Sequence, residues 1–116
     1  MKLAIIGSRT IEVENLEEYL PSNITEIVSG GAKGIDRCAE KYAKAHKIKL
    51  TVLYPDYKMY GKIAPLKRND QIAAYADAVI AFWDGKSTGT IYTLRAFRAL
   101  NKPMRVFRSI SDIPTP

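Results

Sequence analysis

The stretch of the chain best suited to bind a ligand is the glycine-rich segment of residues 29–36, which reads Ser-Gly-Gly-Ala-Lys-Gly-Ile-Asp. It follows a short apolar run at residues 26–28 and opens a segment with apolar residues at helical spacing, so it joins a predicted strand to a predicted helix. Glycines let the backbone turn sharply and leave no Cβ in the way of a ligand. The first amides of the following helix lack partners within the helix, and the turn therefore favours anions, phosphates above all.

Two more glycine-bearing turns follow predicted strands. Gly-Ser-Arg at residues 7–9 follows the first strand, and Trp-Asp-Gly-Lys-Ser-Thr-Gly-Thr at residues 83–90 follows the fourth. Because parallel strands end at the same edge of a sheet, we expect the three turns to converge there. With two polar residues near the start of the third helix, they supply the predicted ligand-binding residues: Gly7, Ser8, Arg9, Ser29, Gly30, Gly31, Ala32, Lys33, Asp36, Arg68, Asn69, Trp83, Asp84, Ser87, Thr88, Gly89 and Thr90.

Several of these residues have both a functional and a structural interpretation. The hydroxyls of Ser87, Thr88 and Thr90 can bind phosphate oxygens, or they can cap the helix that follows. Arg9 can bind a phosphate through two parallel hydrogen bonds, or it can be an ordinary surface arginine. Trp83 can stack on a base or pack in the core.

Asp36 and Asp84 are the carboxylates nearest the predicted edge. Each can bind a ribose hydroxyl, and each is the candidate catalytic acid or base if the protein is an enzyme. Asp36 can also act only by stabilising the start of its helix. The single histidine, His46, and the single cysteine, Cys38, belong to no cluster at metal-ligand spacing, so we predict no metal site and no cofactor.

Two common phosphate-binding fingerprints are missing. The first strand is followed by Gly-Ser-Arg without the further glycines of a dinucleotide fold, and Ile80 stands where a P-loop would need a glycine. Neither nicotinamide chemistry nor a Walker-type ATPase is supported.

Five strand signals alternate with four helical patterns, which predicts an α/β protein with an open parallel sheet and helices on both faces. Right-handed crossovers leave few topologies, and we predict the doubly wound strand order 3-2-1-4-5. The strands are predicted at residues 3–6, 26–28, 50–54, 78–82 and 104–107. The first helix is predicted from Val13, Leu16 and Leu20, and the others near residues 35–46, 66–75 and 90–100.

The chain of 116 residues is long enough for one domain, predicted over residues 1–108, with an irregular tail at 109–116. No apolar run is long enough to span a membrane and no signal peptide is evident, so we expect a cytoplasmic protein with no membrane partner. The net charge of +6 fits an anionic partner, although the basic residues form no dense block. The connection after the third strand, with Tyr54, Tyr57 and Tyr60, can be a lid or a plain loop.

The ordered set of turns resembles the SLOG superfamily, and most of all its small YspA-like, YpsA-related branch. The resemblance rests on Gly-Ser-Arg at 7–9, the segment 29–36, Arg68-Asn69, the strand region 76–82 and Gly89-Thr90. It implies a Rossmann-like three-layer sandwich whose pocket binds nucleotides or nucleotide-derived molecules, including signals related to ADP-ribose and NAD. More distant similarity to the lonely-guy phosphoribohydrolases implies base cleavage, and similarity to the DNA-processing protein A family implies single-stranded DNA binding.

Two departures from these relatives' patterns favour binding over cleavage or DNA contact. Thr93 stands where the hydrolase motif has its catalytic glutamate, and Thr88 replaces one of its glycines. Asp70 stands where the DNA-processing family has a second arginine, which adds repulsion toward phosphates. The leading hypothesis is therefore a protein that senses or sequesters a nucleotide-derived ligand. The alternatives are a nucleoside-monophosphate hydrolase and a DNA-binding protein.

The resemblance also implies a homodimer, since the relatives dimerise through helices beside the pocket. The fourth predicted helix carries a broad apolar surface formed by Ile91, Leu94, Phe97 and Leu100. That surface can mediate dimerisation, or it can only cover the sheet.

Overall fold

A computed structural model describes residues 1–107 and contains a five-stranded, all-parallel sheet of order β3-β2-β1-β4-β5, as predicted. The central strand β1 pairs with both β2 and β4, so that Leu3 lies between Ile27 and Ala78. The helices lie on both faces, and the protein is a Rossmann-like three-layer sandwich. The strands are β1 (Lys2–Gly7), β2 (Glu26–Ser29), β3 (Lys49–Val52), β4 (Ala78–Phe82) and β5 (Met104–Phe107).

Three of the four predicted helices are present close to their expected bounds. They are α1 (Ile35–Ala45), α3 (Ala64–Tyr75) and α4 (Thr88–Ala99), and the connection between β3 and α3 adds the single turn α2 (Tyr57–Tyr60) and a 3-10 turn at Gly61–Ile63. The carboxylate of Asp56 caps α2 by accepting a hydrogen bond from the backbone N–H of Met59 at 3.1 Å. Whether this connection acts as a lid stays a prediction.

The first predicted helix is wrong: the structure has only a 3-10 turn at Leu16–Glu18 between β1 and β2. Val13 and Leu16 are buried as their spacing suggests, but they lie in an irregular segment. Pro21 disfavours helical geometry at the residue before it. The apolar spacing is therefore satisfied without a helix.

Two apolar cores lie on opposite faces of the sheet because successive side chains of β1 alternate between them. Leu3 and Ile5 pack on the face covered by α1, whereas Ala4 and Ile6 pack on the face covered by α3 and α4. Leu94 and Phe97 are buried in the second core and cover the sheet, whereas Leu100 follows the end of α4 and is 50% exposed. Dimerisation stays a prediction.

Close packing at Gly7 fixes the edge of the sheet at which the predicted turns meet. A Cβ added there would lie 2.5 Å from the carbonyl oxygen of Phe82 and 2.6 Å from Cγ1 of Ile35. The end of β1 therefore lies directly between the end of β4 and the start of α1. Only glycine allows this approach.

The predicted C-terminal tail lies outside the described residues. Within residues 1–107, no helix has the length and apolar character needed to cross a membrane.

Candidate functional site

A cavity of about 330 Å³, here called the α4 cavity, lies at the carboxyl ends of β1 and β4. Its walls come from the end of β1, the glycine-rich turn and the first residues of α3 and α4. The structure brings together in these walls ten of the predicted residues: Gly7, Arg9, Ala32, Asp36, Arg68, Asn69, Ser87, Thr88, Gly89 and Thr90.

A second cavity of about 330 Å³ lies beside it and is here called the tyrosine cavity. Its walls include the predicted residues Gly30 and Gly31, together with the rings of Tyr54 and Tyr57. Four residues line both cavities, so the two spaces are neighbours with a common wall: Arg9, Ala32, Pro65 and Arg68.

The glycine-rich turn needs its glycines for backbone geometry and for space. Gly31 has φ +75° and Gly34 has φ +71°, a region that other residues rarely adopt. A Cβ at Gly31 would lie 2.6 Å from Cε1 of Tyr54, and one at Gly34 would lie 2.6 Å from the carbonyl oxygen of Arg9. The glycine-rich turn is thus packed against Arg9, in the turn after β1, and against Tyr54, which follows β3.

Arg68 connects α3 to this turn. Its Nη1 donates a hydrogen bond to the carbonyl oxygen of Gly30, and its Nε donates to Oδ1 of Asn69 at 2.8 Å. A Cβ at Gly30 would lie 2.8 Å from that Nη1 and 3.0 Å from Oδ2 of Asp36, so the guanidinium and the carboxylate share the space beside Gly30. Burial lowers the pKa of Arg68, an effect that Asp36 opposes.

Asp36 is a buried carboxylate, 7% exposed, on the wall of the α4 cavity. Its Oδ2 accepts a hydrogen bond from the backbone N–H of Ala32 at 3.0 Å, which holds the turn against the start of α1. Burial raises the pKa of Asp36 above its usual value, although the Ala32 N–H and the charge of Arg68 act in the opposite direction. Desolvation therefore outweighs the stabilising contacts of this carboxylate.

The start of α4 presents polar groups toward the same cavity. Ser87 occupies the N-cap position, but its side chain makes no capping hydrogen bond to the helix backbone. Its Oγ instead accepts a hydrogen bond from the Thr90 hydroxyl at 3.2 Å, and the Thr93 hydroxyl donates to the carbonyl of Gly89 at 2.8 Å. The N-cap residue therefore leaves the first amides of α4 without a side-chain cap.

Asn69 completes this wall from α3. It is only 8% exposed, and its Oδ1 accepts the hydrogen bond from Arg68. In the described part of the chain, its side-chain NH₂ has no hydrogen-bond acceptor. An amide NH₂ without an acceptor at the wall of a cavity is suited to bind an oxygen of a ligand.

Five predicted residues lie outside the walls of both cavities. Ser8 and Ser29 are buried and hold the backbone: Ser8 Oγ accepts from the N–H of Asp84 at 3.0 Å, and Ser29 Oγ accepts from the N–H of Gly31 at 3.2 Å. Lys33 is exposed on the surface of the glycine-rich turn.

The other two, Trp83 and Asp84, shape the turn that leads into α4. The indole Nε1 of Trp83 donates to the carbonyl of Ser87 at 3.0 Å. Oδ1 of Asp84 accepts from the backbone N–H groups of Lys86 and Ser87, each at 2.8 Å, and these bonds lower the pKa of Asp84. The structure therefore places both side chains against the backbone of this turn.

Seven residues that line the α4 cavity or the tyrosine cavity are not among the predicted ligand-binding residues: Ile6, Tyr54, Pro55, Tyr57, Pro65, Leu66 and Thr93. Tyr54 follows the third strand of the sheet, so the rule that selected the other three turns also applies to it. Its aromatic character instead suggested a lid or a packing role. Thr93 lies one helical turn after Gly89, and that spacing brings it to the same wall.

Within residues 1–107, no cluster of three or more histidine, cysteine, aspartate or glutamate side chains is arranged to hold a metal ion. Comparison of the chain with protein-family models, with curated proteins and with solved structures finds no match.

Proposed function

We propose that this protein binds a nucleotide-derived ligand, whose phosphate group lies in the α4 cavity. The observation that carries the proposal is the convergence of three kinds of donor on one cavity. They are the start of α4, where Ser87 makes no side-chain cap, the NH₂ of Asn69, and the guanidinium groups of Arg9 and Arg68. Groups of these kinds bind phosphate oxygens in proteins.

The charge balance of the cavity supports an anionic ligand. Arg9 and Arg68 face a single carboxylate, Asp36, and burial disfavours the charged form of that carboxylate. Arg68 is already bound to Gly30 and Asn69, whereas Arg9 is exposed and makes no hydrogen bond or ion pair with the described residues. Arg9 is therefore the cation best able to move onto an incoming phosphate.

Asp36 fits the sugar of the same ligand. A carboxylate oxygen next to a phosphate site accepts hydrogen bonds from ribose hydroxyls. Because the pKa of Asp36 is raised, a hydrogen-bond donor that replaces lost water would stabilise its charged form.

Binding without cleavage is supported by Thr93. The hydrolases that the sequence resembles have a glutamate at this position, and the Thr93 hydroxyl here donates to the carbonyl of Gly89. It offers no acid or base for breaking a glycosidic bond. We propose a sensor or sequestering role.

The test is a thermal-shift screen followed by calorimetry with phosphate, ribose 5-phosphate, nucleoside mono- and diphosphates, a cyclic nucleotide, ADP-ribose and NAD. We expect at least one phosphate-bearing ligand to raise the melting temperature, because it binds only the folded state. Arg9→Ala should weaken that ligand about tenfold or more, the effect of losing a charge-assisted hydrogen bond.

The matched control is Arg95→Ala, which removes the same charge from an exposed position of α4 outside both cavities. It should leave the affinity unchanged. A panel without any stabilising ligand, or equal weakening by the two variants, would contradict the proposal.

One observation favours the hydrolase as a second candidate. Asp36 lines the cavity with a raised pKa, the property of a carboxylic acid that donates a proton to a leaving base. Incubation with nucleoside monophosphates and chromatography would then show release of free base, abolished in Asp36→Asn. Intact substrate at high protein concentration would exclude this activity.

A further inference from the structure

We infer that the tyrosine cavity is a second subsite, which stacks the purine ring of the same ligand whose phosphate lies in the α4 cavity. This inference rests on the proposed function and deepens it, because it names the ligand class as purine nucleotides. The argument depends on Tyr54, on the wall that the two cavities share, and on the chemistry of the remaining wall.

Tyr54 is an exposed aromatic ring that packs against the backbone of the glycine-rich turn. Its side chain is 66% exposed, although Tyr54 lies two residues after β3 and on the wall of a cavity. The ring packs so closely on Gly31 that a Cβ there would lie 2.6 Å from Cε1 and 2.8 Å from Cδ1. One part of the ring therefore packs on the glycine-rich turn, while the rest is open to solvent.

Folding does not account for this exposure, because an aromatic ring in solvent contributes little of its apolar area to stability. A ring that packs on the backbone at one side and is exposed elsewhere suits stacking, since its open surface can contact a planar ligand. Tyr57 lines the same cavity and is 59% exposed, so the cavity offers a second ring.

The shared wall places this aromatic surface next to the proposed phosphate site. Arg9 and Arg68 line both cavities, and they separate the space beside α4 from the space beside Tyr54. A nucleotide has the matching layout, with an anionic group and a planar ring joined by a sugar. A guanidinium beside a bound ring also contributes a cation–π contact.

The rest of the wall favours a planar ring, on which both tyrosine rings and guanidinium groups can stack. Among the described residues, the tyrosine cavity is lined by two arginines, two tyrosines, two prolines and the backbone of the glycine-rich turn, without a carboxylate. It also lacks a side-chain amide or carboxylate to read the edge of a base. We therefore expect recognition by stacking area, with purines preferred over pyrimidines and little discrimination between adenine and guanine.

The experiment compares AMP, GMP, CMP and ribose 5-phosphate by isothermal titration calorimetry. Stacking of a base contributes about 5-fold to 100-fold in affinity. AMP and GMP should accordingly bind more tightly than ribose 5-phosphate by a factor in that range. The affinity of CMP should lie between that of the purine nucleotides and that of ribose 5-phosphate. Tyr54→Ala should remove most of this advantage and leave the affinity for ribose 5-phosphate unchanged, whereas Tyr54→Phe should retain it.

Met59→Ala is the matched control. It removes another exposed apolar side chain from the same connection, 70% exposed, but from outside the tyrosine cavity. It should leave all four affinities unchanged. Thermal unfolding without ligand verifies that each variant is folded.

The two proposals fail in different ways. If ribose 5-phosphate and AMP bind equally well, or if Tyr54→Ala weakens both to the same extent, the stacking subsite is overturned and the phosphate site stands. If none of the four ligands binds and the wider panel is also negative, the phosphate site itself is overturned, and the inference with it.

Discussion

Two buried carboxylates lie at opposite ends of the same sheet, and their surroundings differ. Glu26, 5% exposed, lies at the start of β2, whereas Asp36, 7% exposed, lies beyond its end. Glu26 accepts hydrogen bonds from the hydroxyls of Thr51, at 2.6 Å, and of Tyr75, and it pairs with Lys49 at 3.4 Å. Among residues 1–107, the carboxylate of Asp36 accepts one hydrogen bond, from the backbone N–H of Ala32.

The pKa values follow these contacts. The hydroxyl of Thr51, and then that of Tyr75, lower the pKa of Glu26 despite its burial, whereas burial raises the pKa of Asp36. At the amino ends of the strands, other side chains of the protein supply hydrogen bonds and a positive charge to the carboxylate of Glu26. At the carboxyl ends, burial disfavours the charged form of Asp36, and hydrogen-bond donors of Asn69 and Arg9 on the same cavity wall have no acceptor among the described residues. The difference supports the proposal that the first network stabilises the fold and the second region binds a ligand.

The largest effect is expected for Glu26→Gln. The amide removes the charge that three donors stabilise, and we expect the free energy of unfolding at neutral pH to fall by about 2 to 3 kcal/mol. The folded-state pKa of Glu26 lies below the pKa of the unfolded chain. Its contribution to the unfolding free energy is therefore fully present above the unfolded pKa and is lost as the pH falls through the folded pKa. Urea unfolding at a series of acidic pH values measures the difference in unfolding free energy between wild type and Glu26→Gln. This difference should become smaller as the pH falls. Equal stability at neutral pH would contradict the structural role of this network.

The glycine-rich turn gives the second test of the comparison. Gly31→Ala introduces a Cβ at φ +75° and pushes it into the ring of Tyr54, so we expect a loss of about 2 kcal/mol. Gly85→Ala is the matched control, because Gly85 has φ +84° but nothing within 4 Å of the added Cβ. It should cost about 1 kcal/mol, from the backbone alone. Equal losses in urea unfolding would show that the ring of Tyr54 moves freely away from the turn.

The smallest effect has the opposite sign. Asp36→Asn removes a charge that burial disfavours, and the amide oxygen can still accept the N–H of Ala32. We expect a gain of about 0.5 to 1 kcal/mol at neutral pH, as for other stabilising changes at functional sites. Since the folded-state pKa of Asp36 is raised, the gain should fade as pH falls through the folded pKa and vanish below the unfolded one. A loss of stability at neutral pH would place Asp36 with Glu26, as a structural carboxylate.

Much of the fold could be predicted from local pattern. β4 and β5 have the predicted bounds, because their apolar runs are short and clearly bounded, and α1, α3 and α4 begin within a few residues of expectation. The segment around Leu16 was predicted wrongly, since the same apolar spacing also serves an irregular segment that packs on the sheet. Periodicity reports which side chains are buried, and it does not by itself report the backbone that buries them.

By itself, the sequence determined the sheet, its strand order and the three turns at its carboxyl edge, because periodicity, glycine positions and crossover handedness are properties of chain segments and their order. Tertiary structure alone decided which polar groups became unused donors. Arg68 reaches the carbonyl of Gly30, 38 residues earlier, and Ser29 and Asp84 turn to the backbone. The tertiary structure also decided that the exposed ring of Tyr54 packs on Gly31 of the glycine-rich turn. Such contacts depend on close approaches between distant segments, and local sequence does not encode those distances.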